Sequence, residues 1–357
     1  MIKELALLFC GLSFLVGCVA LGVDTEEMGE GFASLSPSEP KKGEVHVVAY
    51  DPVKACNGTT LFADLHPGQS PRIVEVDMAG AVVWEFVVPP ALSRFRDPGF
   101  DVEALPSGNV LFVLPGNGIY EVNRDGRIVW KHLDPEVSHD ADRLSSGNTL
   151  YVYGDNDDVD DLHVKEIDAF GELVWSWSAG PAFDVDSYIG IDDGGWTHVN
   201  AVTRLENGNT LVNLRNFDLT VEVSPSGEVV WSMDWTTLFD RTPERGTYGP
   251  HEPEILPDDR LLICLQWDSP YQVVEIDRTT GDFIWSYFRD GLRTTRDADR
   301  LPNGNTLIVG VLQSSEDSVI FEITPDGEVV WELKLTDVPV GRRPGWFYKA
   351  QRICRAE

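Results

Sequence analysis

The sequence predicts a closed all-β propeller of six four-stranded blades. Three segments recur in tandem: one close to Arg-Leu-x-x-Gly-Asn-Thr-Leu, then one close to Glu-Ile-Asp, and finally one close to Gly-Glu-Val-Val-Trp. The tryptophans of the last segment stand at positions 84, 130, 175, 231, 285 and 331, with gaps of 46, 45, 56, 54 and 46 residues. Tandem units of short strands at this period are typical of propeller blades and not of solenoid coils.

Residues 296–331 illustrate one unit. An extended segment, 296–301, leads to an Asn-Gly turn, where positive φ is cheap. Residues 306–309 and 319–323 follow as the second and third strands. A Pro-Asp-Gly-Glu turn then leads into the fourth strand, Val-Val-Trp at 329–331.

The two ends of the propeller complete each other. Residues 348–354 align with the first strand of a unit, but no further strands follow them. The first unit has only its second, third and fourth strands, at 60–63, 72–77 and 81–86. We therefore expect the C-terminal strand to become the inner strand of the first blade and to close the ring. Residues 44–52 predict an additional lead-in strand, so the propeller domain is predicted to span 44–357.

The N-terminus predicts export. Residues 1–18 contain a 12-residue apolar run from Leu5 to Val16, which is too short to span a bilayer and has the form of a secretory signal. The segment Leu-Val-Gly-Cys ending at Cys18 resembles a bacterial lipobox, which predicts a lipid anchor on Cys18 and a periplasmic or cell-surface lipoprotein. The alternative is an ordinary signal peptide that contains a cysteine. Residues 19–43 lack periodicity and are predicted to be a flexible linker.

Two cysteines are predicted to meet where the chain ends meet. Cys354 occupies the place of Ser145 in the repeat, just before the Gly-Asn turn, and Cys56 approaches the same place from the first unit. We predict a Cys56–Cys354 disulfide, which an exported protein permits. The alternative is a pair of buried thiols. Cys264, within Leu-Leu-Ile-Cys-Leu, is predicted to be a small core residue.

The net charge of −31 disfavours nucleic acid and anionic lipid headgroups as partners. The six repeated tryptophans are predicted to pack between blades. The acidic run 155–161 is predicted to be a solvated loop, because it lacks the Asp-x-Asp-x-Asp-Gly spacing of a calcium loop; calcium binding is the alternative.

One position of the inner strands varies and is mostly polar, and we call it the channel position. It lies five residues before the repeated leucine. Quasi-sixfold symmetry places equal positions around one end of a central channel. Its six occupants are Phe100, His139, Asn200, His251, Arg296 and Tyr348. His198 stands two residues before Asn200 and therefore on the same side of an extended strand. The sequence thus predicts a functional site at this end, with Phe100, Asn200, Arg296 and Tyr348 as substrate-binding residues.

The repeat segments resemble the bacterial arylsulfotransferase family. The resemblance rests on Gly-Glu-Val-Val-Trp, His-Asp-Ala-x-x-Leu-x-x-Gly-Asn-Thr-Leu, Trp196-Thr-His-Val-Asn-Ala, Asn213-Leu-Arg-Asn and the tail Tyr348-Lys-Ala-Gln-Arg-Ile. It covers roughly residues 44–354. The resemblance implies a periplasmic enzyme that moves a sulfuryl group from an aryl sulfate to a phenol through a sulfohistidine, with no cofactor and no nucleotide sulfate donor. It implies catalytic roles for His139, His198 and Arg215, with His251 as the nucleophile.

Two other functions are compatible with the sequence. One is a non-catalytic ligand-binding or scaffold propeller tethered to a membrane. The other is a metal-assisted hydrolase or lyase, because three convergent imidazoles can in principle hold a metal. No metal-ligand spacing is present in the sequence, so no metal site is predicted.

Overall fold

The computed structural model describes residues 45–65, 70–94, 101–184, 194–238, 247–267, 272–313, 315, 317–335 and 347–355. Its propeller lies within the compact unit that runs from Pro40 to Glu357. The predicted signal peptide with Cys18, the predicted linker 19–43 and Phe100 lie outside the described residues, so those predictions stay predictions.

The described strands form six antiparallel sheets, as predicted, and each sheet is one blade. The second blade contains β5 (Val102–Ala104), β6 (Val110–Leu114), β7 (Gly118–Val122) and β8 (Ile128–Leu133). The third contains β9 (Ala141–Arg143), β10 (Thr149–Val152), β11 (Val164–Ile167) and β12 (Leu173–Trp177). The fourth contains β13 (Val199–Arg204), β14 (Thr210–Leu214), β15 (Leu219–Val223) and β16 (Val229–Asp234). The fifth contains β17 (Pro250–Leu256), β18 (Arg260–Leu265), β19 (Val273–Asp277) and β20 (Phe283–Tyr287).

The remaining two blades join the ends of the chain. The first blade has the order β25-β2-β3-β4, so the C-terminal strand is its inner strand, as predicted. The sixth blade has the order β1-β24-β23-β22-β21, which places the lead-in strand outermost as a fifth strand. The strands of the first blade are β25 (Ala350–Cys354), β2 (Gly58–Asp64), β3 (Arg72–Asp77) and β4 (Val82–Val87). Those of the sixth are β1 (Val45–Tyr50), β24 (Val329–Leu335), β23 (Ser318–Ile323), β22 (Thr306–Leu312) and β21 (Leu292–Arg300).

The predicted disulfide is present. Cys56 and Cys354 are bonded, with their Cα atoms 5.7 Å apart and a sequence separation of 298. The disulfide lies beside the pairing of β2 with β25, in which Gly58 is opposite Cys354. Cys264 is a buried free cysteine within the core, as predicted.

The repeated tryptophans connect neighbouring blades. Each indole Nε1 donates a hydrogen bond to a backbone carbonyl of the next blade, at 2.9–3.1 Å. An arginine of that next blade covers each indole ring and pairs with a glutamate of the third strand in the tryptophan's own blade. At the closure, Trp331 donates to the carbonyl of Met78, and Arg352 covers its ring. This contact explains why Trp and Glu recur with the period of the blade. The arginine comes from the inner strand in four blades and from the turn after the third strand in the other two, as Arg124 and Arg278.

The turns between inner and second strands need the left-handed backbone region. Gly147 and Gly304 have φ of 88° and 87°. The fifth blade has no glycine at this turn, and Asp258 and Asp259 take positive φ instead. Three-residue and four-residue 3-10 turns occur at Arg215–Phe217, Trp235–Leu238 and Pro257–Asp259. No helix among the described residues has the length and apolar character needed to cross a bilayer.

Candidate functional site

The starts of the inner strands bring the predicted site residues together. His139 and Tyr348 lie two residues before β9 and β25, while His251 and Arg296 lie within β17 and β21. The imidazole of His139 is 5.8 Å from the Tyr348 ring between centroids, and that of His251 is 5.2 Å from it. The guanidinium carbon of Arg296 lies 5.5 Å from the same ring. Tyr348 therefore stands between the two histidines, and all four side chains are buried.

His139 and His198 form a direct pair. Their Nε2 atoms are 3.1 Å apart, and Nδ1 of His198 lies 2.9 Å from the carbonyl oxygen of Gly194. Because a carbonyl only accepts, Nδ1 of His198 carries a proton. In a neutral ring its Nε2 then accepts from Nε2–H of His139. This leaves Nδ1 of His139 with a lone pair, and that atom is buried without a hydrogen bond among the described residues.

The loop between β10 and β11 holds His198 in place. Asp157 accepts hydrogen bonds from the backbone N–H of His198 and from the N–H and hydroxyl of Thr197, and it lies 3.1 Å from Nε2 of His163. His198 has a φ of 48°, a left-handed conformation that is costly for a residue with a side chain. The prediction of a solvated loop at 155–161 was wrong for Asp157, which is buried because its carboxylate fixes this backbone.

Asn200 and Asn213 hold the backbone before His251. The side-chain amides of both donate to the carbonyl of Pro250, at 3.0 and 2.7 Å. Asn213 also donates to the side-chain oxygen of Asn200 at 2.6 Å. Asn200 is thus hydrogen-bonded within the protein, and its predicted contact with substrate stays a prediction.

The carboxylate of Asp218 fixes the chain just before β17. It accepts hydrogen bonds from the Thr247 hydroxyl and from the N–H groups of Tyr248 and Gly249. Burial nevertheless raises the pKa of Asp218 to about 7. Neighbouring blades therefore position His251 through contacts that lie far apart in sequence.

Tyr348 contacts His251 directly. Its hydroxyl oxygen is 3.2 Å from Nε2 of His251. Burial, followed by the charge of Glu252, raises the pKa of Tyr348 well above its usual value, so the phenol keeps its proton. A protonated hydroxyl with this single polar neighbour among the described residues donates its hydrogen bond to Nε2.

The imidazoles of the site are neutral at neutral pH. Burial, followed by the charges of Arg215, Arg296 and Lys349, lowers the pKa of His139 to about 3. Burial and then Arg296 hold the pKa of His251 well below its usual range. Arg215 follows β14, and its guanidinium carbon lies 5.1 Å from the centre of the Trp267 ring. Burial, and next the charge of Arg215, lowers the pKa of His198 well below its usual value. Cations beside neutral imidazoles favour an anionic group in this place.

Beneath the histidines, Lys349 occupies the next layer of the channel. Its ammonium lies 2.5 Å from Asp140, 3.3 Å from Asp101 and 3.0 Å from Glu252. Although burial opposes it, these carboxylates raise the pKa of Lys349 well above its usual value. Lys349 therefore compensates the charge of carboxylates that would otherwise be buried together.

The carboxylates of the channel also link inner strands that do not pair with each other. Asp101 accepts from the N–H of Ala141, Asp140 from that of Val202, and Asp297 from that of Ala350, each in a neighbouring blade. Two residues further along their strands, the carboxylates of Glu103 and Glu254 make the same kind of link. They accept hydrogen bonds from the backbone N–H groups of Arg143 and Arg300. The acidic channel thus has a structural explanation.

We expect a Lys349→Met variant to lose about 3 kcal/mol of unfolding free energy at about pH 8, because it leaves buried carboxylates uncompensated. Burial already raises the pKa of Asp101 to about 6 and that of Glu252 well above its usual value, and without the ammonium both rise further above the unfolded values near 4. The loss therefore grows as pH rises and is smaller at about pH 5. Urea unfolding at both pH values measures it. Lys334→Met removes a lysine whose side chain is 25% exposed and lies 3.2 Å from Glu332, and it is the matched control. We expect it to cost under about 1 kcal/mol, because Arg289 still pairs with Glu332 at 3.0 Å. An equal loss at both pH values for Lys349→Met would contradict the charge argument.

A cavity of about 690 Å³ lies toward the turn ends of β13 and β17, and its lining includes Glu252, Glu254, Asp297 and Asp299. Burial raises the pKa values of Glu254 and Asp299 to about 7. Among the described residues, no group of three or more His, Cys, Asp or Glu side chains is arranged to hold a metal ion.

The structure therefore brings five of the predicted residues into one buried cluster: His139, His198, His251, Arg296 and Tyr348. Arg215 acts on this cluster through its charge, and Asn200 supports the backbone beside it. Sequence reasoning missed Asp157, Asp218, Lys349 and the position of Glu252. The acidic residue after the channel position in four repeats was a signal for the Lys349 layer, since Lys349 holds that same place in the tail.

Two family models match the chain. Residues 44–244 match the one described as Arylsulfotransferase (ASST). Residues 160–347 match the one described as Outer membrane protein assembly factor BamB, which overlaps the first across part of the propeller. None of the curated proteins matches the chain.

Several solved structures are similar to the chain. A protein of unknown function from Bacteroides caccae is 17% identical, with a TM-score of 0.57, over 82% of this chain and 98% of that one. Virginiamycin B lyase from Staphylococcus aureus is 11% identical, with a TM-score of 0.47, over 83% and 99%. BamB from Moraxella catarrhalis is 14% identical, with a TM-score of 0.38, over 81% and 75%. At these identities the likeness concerns the fold alone.

Proposed function

The chain belongs to the arylsulfotransferase family, and from that premise we propose that it moves a sulfuryl group from an aryl sulfate ester to a phenol, with His251 as the nucleophile. The observation that carries this proposal is the contact of Nε2 of His251 with the Tyr348 hydroxyl at 3.2 Å, in a buried site that keeps the imidazole neutral. A neutral ring whose Nε2 accepts a hydrogen bond has its lone pair on the atom that would attack sulfur.

The reaction divides into two displacements. In the first, Nε2 of His251 bonds to sulfur, the sulfur–oxygen bond of the donor breaks, and its electron pair goes to the phenol oxygen. That oxygen takes a proton from the Tyr348 hydroxyl. In the second, the acceptor phenol returns a proton to the same group and its oxygen displaces His251 from sulfur. No proton is gained or lost over the cycle.

Arg215 and Arg296 supply the charge that the transferred group needs. A sulfuryl group carries its negative charge on oxygen throughout the transfer, and fixed cations in a buried site stabilise that charge without reorganisation. The same cations lower the pKa values of His139 and His251, which keeps both rings available as bases.

The test is the release of 4-nitrophenol from 4-nitrophenyl sulfate by the purified protein, with and without phenol. We expect release that requires phenol and a matching amount of phenyl sulfate. Absence of release with a range of phenols would instead support the second candidate, a non-catalytic binding propeller. The hydrogen bonds of Asn200 and of the His139–His198 pair within the protein favour that candidate.

We also propose that the chain is exported and anchored through a lipid on Cys18, from the lipobox-like end of the apolar N-terminal run. In a bacterial host, the wild type is expected in the membrane fraction and Cys18→Ser in another fraction. Equal membrane association of both would contradict the anchor.

A further inference from the structure

We propose that Glu252 is a positioning residue that holds the Nδ1 proton of His251 and thereby presents Nε2 to the substrate. The proposal rests on the function proposed above, in which His251 is the nucleophile. Nothing in the family resemblance or in the comparisons assigns a role to Glu252.

Glu252 departs from the role of its counterparts in other blades. Asp101, Asp140 and Asp297 occupy the same place after the channel position, and each accepts a backbone N–H from a neighbouring inner strand. Among the described residues, no backbone N–H donates to Glu252. Its Oε2 atom lies 3.0 Å from Lys349, and its Oε1 atom is buried without a hydrogen bond.

The free side of this carboxyl group faces His251. Oε1 of Glu252 is 3.8 Å from Nδ1 of His251, and Nδ1 is likewise buried without a hydrogen bond among the described residues. The two orphaned atoms are about 1 Å further apart than a hydrogen bond. A small rotation of the glutamate therefore satisfies both, which removes the cost of two buried unpaired polar groups.

The backbone supports the same interpretation. Glu252 has a φ of 48°, and the pairing of β17 with β18 shifts register between His251 and Glu254. A left-handed glutamate in a strand is unfavourable and is concentrated at functional sites. Without this bulge, His251 and Glu252 would point to opposite faces of the strand. The bulge is what allows consecutive side chains to meet.

The tautomer of His251 determines what the contact with Glu252 does for the reaction. The Tyr348 hydroxyl donates to Nε2, so the proton of the neutral ring is on Nδ1, where the only nearby acceptor among the described residues is Glu252. Once Nε2 bonds to sulfur, the ring with Nδ1–H is cationic. Burial raises the pKa of Glu252 well above its usual value, whereas Lys349 at 3.0 Å and a cationic ring beside it favour the carboxylate. That carboxylate stabilises the charge of the ring, and no bond to Glu252 forms or breaks.

The experiment compares wild type, Glu252→Gln and Glu254→Gln in full-length protein labelled with ¹⁵N-histidine. Glu254 lies in the same strand as Glu252, and its carboxylate accepts a hydrogen bond from the backbone N–H of Arg300 in β21. Glu254→Gln is therefore the matched control. Nitrogen–proton NMR correlations, assigned with His251→Gln, report which ring nitrogen of His251 is protonated. Rates with 4-nitrophenyl sulfate and phenol over a range of pH report how a change of the His251 tautomer affects catalysis.

We expect His251 to be protonated on Nδ1 in wild type and in Glu254→Gln, and to become a mixture of tautomers in Glu252→Gln. The rate constant kcat should fall about 10-fold to 100-fold in Glu252→Gln with little change in KM, because the side chain acts on the nucleophile and not on substrate binding. An Nε2–H tautomer in wild type, or a tautomer unchanged by Glu252→Gln, overturns the proposal. An Nδ1–H tautomer that depends on Glu252 in a protein without transferase activity would uphold the positioning role and refute the proposed function.

Discussion

A His251→Ala variant is expected to lose phenol-dependent release of 4-nitrophenol by about 1,000-fold or more relative to wild type. The imidazole is the group that bonds to sulfur in the proposed first displacement, and among the described residues no other imidazole nitrogen lies within hydrogen-bond distance of the Tyr348 hydroxyl. Direct attack of phenol on the aryl sulfate would remain, helped only by the charges of Arg215 and Arg296. Initial rates at saturating donor and acceptor measure the effect.

The control for this substitution is His132→Ala. His132 is half-buried on β8, where its Nε2 is 3.4 Å from the Tyr151 hydroxyl, and it is outside the channel position. We expect its activity to stay within a few-fold of wild type. Rapid quenching of the wild type with donor alone should leave one sulfuryl group on the protein, attached to the peptide that contains His251. A sulfurylated His251→Ala protein, or full activity in that variant, would exclude His251 as the nucleophile.

The repeat period made the fold predictable. The recurring tryptophans and glutamates, together with an arginine of the next blade, join each blade to its neighbour. Every unit therefore needs the same residues for this contact. The order of strands and the closure by β25 followed from aligning units, because an incomplete first unit and a surplus last strand complement each other. The place of β1 beside β24 did not follow, since outer edges of blades carry no specific motif.

The site was predictable only as far as symmetry extends. Equal positions in equal strands must converge, which placed His139, His251, Arg296 and Tyr348 in one cluster. The supports of the site lie outside the repeat. Asp157 is in a loop of one blade and fixes His198 of the next, 41 residues away, through a left-handed backbone that no periodicity indicates.

Glu252 shows a second limit of reasoning from symmetry. By alignment it matches Asp101 and Asp140, which pair with Lys349 and also accept a backbone N–H from a neighbouring inner strand. Its different environment arises from a β-bulge, and a one-residue irregularity changes which face a side chain takes. In the sequence, Glu252 places a negative charge next to a site that is predicted to bind an anion. In the structure, Lys349 lies between that acid and its neighbours and compensates its charge.

Replacing both Cys56 and Cys354 by serine is expected to lower the free energy of unfolding by about 5 kcal/mol, as loop-closure entropy predicts for a cross-link between residues this distant in sequence. The variant should still close its ring. The ladder of β25 with β2 remains, and Arg352 still lies between Trp331 and Glu322.

Guanidinium unfolding with and without a reductant measures the effect. We expect the reductant to lower the stability of the wild type to that of the double variant and to leave the variant unchanged. If reduction changed the wild type by less than about 1 kcal/mol, the strand ladder and the tryptophan contact would account for closure by themselves, and the disulfide would be dispensable for the stability of the ring.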